Sequence, residues 1–79
     1  MKLPREISGQ ELAKLLKKYG YKITRQTGSH IRLTTTEKGE HHVTIPAHKC
    51  LKTGTLSGIL NDVAIHFKMD KGDLIKELF

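Results

Sequence analysis

Tryptophan is absent from the chain, and aromatic residues make up only 5% of its 79 positions. A platform that reads bases by stacking them on exposed rings is therefore not expected. The single cysteine, Cys50, cannot close an internal disulfide, and no charged-then-apolar leader of the secretory kind is evident. Both features point to a cytoplasmic protein. Apolar runs extend for a few residues, far short of the ~20 needed to cross a bilayer, so no membrane partner is expected. Neither a CxxC nor an HExxH spacing occurs, and His48-x-Cys50 offers two ligands at most. His41 and His42 are neighbours on a strand and point to opposite faces, so they cannot share an ion. No metal and no cofactor are implied. There is likewise no glycine loop of the Walker type and no paired-carboxylate constellation, which leaves nucleotide hydrolysis and glycosidase chemistry unsupported. Internal repeats, low-complexity tracts and linkers are missing too, so residues 1–79 read as one domain with a shallow site.

Acidic residues are also in deficit: 8 Asp and Glu face 14 Lys and Arg, a formal charge of +6. A polyanion, RNA or DNA ahead of a membrane surface, is the first partner that such a balance suggests.

After an irregular leading segment, residues 1–6, a helix starts with full punctuation. Ser8 is the N-cap, Glu11 completes a capping box, and Ile7 with Leu12 forms the hydrophobic staple. Leu12, Leu15, Leu16 and Tyr19 recur at helical spacing, and Gly20 ends the helix. Residues 21–27 suit a strand, Gly28-Ser29 a tight turn, residues 30–36 a second strand, and residues 41–45 a third that stops at Pro46. Short loops make these an antiparallel meander. Thr53 is expected to cap a second helix carrying Leu56, Ile59, Leu60, Val63 and Ala64, and Asp70 a short third one. The order helix, three-stranded antiparallel sheet, helix, with a short C-terminal helix, is an α+β layout like that of the double-stranded-RNA-binding domain.

With Ile31, Leu33, Val43 and Ile45 turned to the helices, alternation sends His30, Arg32, Thr34, His42 and Thr44 to the open face. If Ile23 also points inward, Lys22, Thr24 and Gln26 join them. His30, fixed where a strand begins, is a candidate general acid or base, because an unperturbed imidazole titrates near neutrality. RNA can be cut without a metal when a base takes the 2′-hydroxyl proton, an acid protonates the leaving oxygen and cations stabilise the phosphorane. The second group could be His42, on the same face, or His48, in the loop with Lys49 and Lys52; one histidine assisted by Lys or Arg would serve equally. Lys49 and Lys52, with Thr53 and Thr55, also surround a helix N-terminus suited to phosphate, although ordinary capping accounts for the threonines as well. Lys22, Ser29, Arg32, Lys49 and Lys52 are the candidate RNA contacts. A non-catalytic RNA-binding module and a protein-interaction domain are the alternatives that the same surface would allow.

Several stretches resemble the HicA toxin family. They are Ser8-Gly9-Gln10-Glu11-Leu12, Leu16 to Tyr21, Arg25 to His30, Val43 to His48, and Gly54-Thr55-Leu56 with Ile59-Leu60. The resemblance spans nearly the whole chain in the right order. It implies a double-stranded-RNA-binding-like fold acting as an mRNA interferase, a ribonuclease that is the toxin of a type II toxin–antitoxin pair. On this resemblance the catalytic histidine is His30, within Gly28-Ser29-His30, single-stranded mRNA is the substrate, and a HicB-like antitoxin covers His30. Pro46-Ala47-His48 matches the family's Pro-x-His, with no catalytic role implied for His48.

Overall fold

The computed structural model describes residues 3, 4 and 6–79; residues 1, 2 and 5 of the expected irregular leading segment lie outside the described residues. Helix α1 (Gly9–Leu16) opens on a reciprocal capping box. The Glu11 amide donates to Ser8 Oγ at 3.0 Å and the Ser8 amide to Glu11 Oε1 at 3.1 Å, so two otherwise orphaned donors are satisfied. Ile7 and Leu12, the staple, are both buried. A 3-10 turn over Lys17–Tyr19 extends the helix, and Gly20 ends it in the left-handed region at φ 81°. A side chain there would be strained, and its Cβ would lie 2.1 Å from Glu37 Oε2.

Strands β1 (Lys22–Thr27), β2 (His30–Thr35) and β3 (His41–Pro46) form an antiparallel sheet in the order β1-β2-β3. Helices α2 (Thr53–His66) and α3 (Lys71–Leu78) follow, giving the expected α+β, double-stranded-RNA-binding-like arrangement. Helix α1 packs on β2 and β3, and α2 on β3 and α3. One hydrophobic cluster lies between the layers, with Leu12, Leu16, Ile31, Leu33, Ile45, Leu56, Leu60 and Leu74 fully buried. Burial alternates along β2 and β3, as a sheet covered on one side requires. All six residues of β1 are exposed, because the helices are centred on the other two strands.

Two expectations change. Thr53 is the first helical residue of α2, not its cap: Lys52, extended at ψ 144°, occupies the cap position without a side-chain hydrogen bond, and its carbonyl accepts the first helical bond from Leu56. Secondly, β1 contains a bulge. Ile23 pairs with Leu33 and Arg25 with Arg32, which leaves Thr24 as the extra residue. Downstream of it the alternation inverts.

Candidate functional site

The bulge decides which side chains share the open face. Upstream, Lys22 lies opposite Thr34 and Ile23 takes the helix side, as expected, although Ile23 remains 43% exposed. Thr24 sits on the open face, with Oγ1 3.0 Å from Thr34 Oγ1. Gln26 does not. It pairs with Ile31, whose side chain is buried under the helices, while Arg25 and Thr27 come to the open face opposite Arg32 and His30. Arg25 was not singled out from the sequence, since only an unbroken alternation was legible there.

His30 is held from two directions. It is the first residue of β2, paired with Thr27 on one side and Pro46 on the other. The Ala47 amide donates to the Ser29 carbonyl at 2.8 Å, which ties the turn to the end of β3. Ser29 Oγ lies 3.1 Å from His30 Nδ1 and so orients the ring, while Nε2 has no partner among the described residues. The imidazole sits in a shallow depression of about 290 Å3 with Arg25, Thr27, Arg32 and Thr44. Among the described residues, two guanidiniums and no carboxylate line this depression.

His42 stands at the other end. Its Cα partner is Thr34, four residues beyond His30 on β2, or about 13 Å at the usual strand rise. The ring is engaged at both nitrogens, Nδ1 with Thr34 Oγ1 at 2.7 Å and Nε2 with Glu40 Oε2 at 2.8 Å. It lines a second depression of about 350 Å3, in which Arg25 and Arg32 form the divide from the first.

His48, Lys49 and Lys52 occupy the exposed loop between β3 and α2. Its backbone is fixed to the start of α1: the Gly9 amide donates to the His48 carbonyl at 3.0 Å, and the Leu51 amide to the Ile7 carbonyl at 2.8 Å. Of the two further histidines considered, His48 is therefore on the segment that adjoins the Ser29-His30 turn. Among the described residues, no three His, Cys, Asp or Glu side chains gather where they could hold one metal ion. No helix among them is long and apolar enough to cross a membrane.

A second histidine group lies on the helix side and has a different character. His41 Nδ1 is 2.7 Å from the buried Tyr21 hydroxyl, and its ring stacks on His66 with centroids 4.4 Å apart. Burial, and secondarily His66, lower the pKa of His41; burial pushes Tyr21 up to about 12. His66 carried no sequence signal, because its partner is 25 positions away.

The family model described as the HicA toxin of bacterial toxin-antitoxin matches residues 9–65. Comparison with curated proteins and with solved structures returns no match.

Proposed function

Because the chain belongs to the HicA toxin family, whose members are toxins of toxin–antitoxin systems, we propose that it is an endoribonuclease acting on single-stranded mRNA. His30 is its general acid and base. The observation that carries this reading is an imidazole anchored by Ser29 at a strand end, its Nε2 unengaged, within a depression walled by Arg25 and Arg32.

The chemistry follows from those groups. With a phosphodiester beside Arg25 and Arg32, neutral His30 takes the proton of the adjacent ribose 2′-hydroxyl, whose oxygen attacks phosphorus. The guanidiniums stabilise the charge that grows on the phosphorane oxygens, charge that is larger in the transition state than in the substrate. The P–O5′ bond breaks and the leaving oxygen receives a proton, either back from His30 or from His48 on the adjoining loop. The products are a 2′,3′-cyclic phosphate and a 5′-hydroxyl. Lys22, Lys49 and Lys52 add backbone attraction away from the reacting phosphate. The same exposed cationic face suits the family's antitoxin partner of HicB type, and a partner that covers His30 would silence it.

The test compares wild-type protein with His30→Ala on single-stranded RNA in excess chelator, with the fold of both checked by circular dichroism. Removing a general acid–base group is expected to slow cleavage by about 100-fold or more, and the wild-type products should carry cyclic phosphate ends. Equal cleavage by the two proteins would remove His30 from the mechanism.

A further inference from the structure

The depression at the His42 end presents chemistry unlike the rest of the sheet. Glu40 is the only carboxylate among the described residues lining either depression. A carboxylate accepts hydrogen bonds and cannot donate them, so the 2.8 Å contact fixes the proton on His42 Nε2. In the neutral ring Nδ1 is then an acceptor, served by the Thr34 hydroxyl at 2.7 Å. With the Thr34 proton committed to His42, the 3.0 Å contact between Thr34 Oγ1 and Thr24 Oγ1 is served by the Thr24 hydroxyl, which also lies 3.4 Å from the Arg32 carbonyl. With His42 neutral, the hydrogen bonds run from Thr24 through Thr34 and His42 to Glu40, and the chain ends in acceptor capacity on that carboxylate, beside the donors of Arg25 and Arg32. Glu40 Oε1 has no partner among the described residues, and the side chain is 69% exposed.

A phosphate would be repelled by that carboxylate, even though Arg25 and Arg32 attract phosphate to the divide alongside. A nucleic acid that meets Glu40 must therefore offer it hydrogen-bond donors, which only its bases and sugar hydroxyls possess. Guanine is the base whose Watson–Crick edge sets two N–H donors, N1–H and N2–H, side by side. Adenine and cytosine place one amino group beside an acceptor, and uracil flanks its single imino group with acceptors. Single-stranded RNA leaves those edges free to be read.

We propose that Glu40, positioned by the Thr24-Thr34-His42 relay, forms a nucleobase subsite that selects guanine in the RNA segment lying beyond the phosphate held at His30. The site gives the enzyme a sequence preference and assigns His42 to recognition, since about 13 Å of strand separates it from His30. This rests on the reading of the open face as an RNA surface.

The test separates that reading from the subsite itself. Short oligouridylates carrying G, A, C or U at the central position are titrated onto His30→Ala protein, which leaves them intact, and the same oligonucleotides are offered to wild type for cleavage. A two-point carboxylate contact predicts a preference for the G-containing RNA of roughly tenfold or more in affinity. Glu40→Gln substitutes a donor for one acceptor and should level the series. It also removes a negative charge, so uniform tightening is expected and the ratio between oligonucleotides is the readout. Thr34→Val, which interrupts the relay while keeping the side chain's shape, should weaken the preference in part. A preference that survives Glu40→Gln, or its absence from the starting protein, overturns the subsite even if wild type cuts RNA. A guanine preference lost on Glu40→Gln upholds the subsite even if wild type cuts nothing, an outcome that sinks the ribonuclease reading instead.

Discussion

Gly9 shows how far a single residue can set the geometry of the site. Its amide reaches the His48 carbonyl, and a Cβ built at this position would lie 2.0 Å from the Pro46 carbonyl oxygen and 3.2 Å from Ile45 Cγ2. Backbone cannot yield as a flexible side-chain tip can, so any other residue forces α1 and the end of β3 apart. Pro46 pairs with His30, and the displacement would be felt at the His30 ring. Gly9→Ala is therefore expected to cost about 1–3 kcal/mol, in the range of other forced insertions into packed contacts, and to reduce RNA cleavage beyond what that loss of fold explains. Urea unfolding and activity under strongly native conditions measure the two parts. Unchanged stability would show that the close approach is not maintained in solution. By contrast, the Ser8-Glu11 capping box and the stop at Gly20 were legible from residue types alone, since each depends on neighbours within one turn. The requirement at Gly9 has no local signal in the sequence, because the group it must avoid is 37 positions away.

At the scale of an element, β1 determines the composition of the open face. The run Lys22 to Thr27 carries no glycine and no proline to mark a bulge, and uninterrupted alternation would have put Gln26 beside His30 and hidden Arg25. The other two strands were readable because each has apolar residues at every second position, Ile31 and Leu33 on β2, Val43 and Ile45 on β3. An edge strand with all six residues exposed lacks that constraint. Insertion of Thr24 is what sets Arg25 opposite Arg32. Deleting Thr24 makes a sharp prediction. Ile23 and Arg25 become neighbours and already have adjacent partners, Leu33 and Arg32, so the shortened strand keeps both in place as a regular ladder. The deletion variant should fold, lose the Thr24-Thr34 hydrogen bond at a cost of about 1 kcal/mol, and retain Arg25 on the open face. Cross-strand NOEs between residues 25 and 32 provide the check. Their loss, with Gln26 taking the place of Arg25, would mean that the register is set by something other than the Leu33 and Arg32 pairings.

Across the whole molecule, the histidines divide according to layer. His30 and His42 belong to the solvent side of the sheet, whereas His41 and His66 join the start of β3 to the end of α2 beneath it. The groups around His41 are the Tyr21 hydroxyl, the stacked His66, Phe67 against both His66 and Tyr21, and the charges of Asp62 and His42. His66 is further tied by Nε2–H to the Glu37 carbonyl at 2.9 Å, so the stacked pair also holds the β2–β3 loop to α2. Burial and the neighbouring imidazole disfavour a cation on His41, and Asp62 offsets this only in part, leaving its pKa below the usual 6.5. The unfolded chain then binds a proton at a higher pH than the folded one. Stability contributed by neutral His41 is fully present above about pH 6.5 and is lost as pH falls through the lowered value. Chemical denaturation at about pH 7.5 and about pH 5.5 should therefore show a drop in midpoint on acidification, and NMR titration should place His41 below the ordinary histidine range. His66→Phe keeps a ring against His41 but removes one imidazole from the stack, so the drop should be smaller. A midpoint that holds constant in wild type, or an acid sensitivity unaltered by His66→Phe and by His41→Asn, would show that this junction does not couple protonation to the packing of helices on sheet.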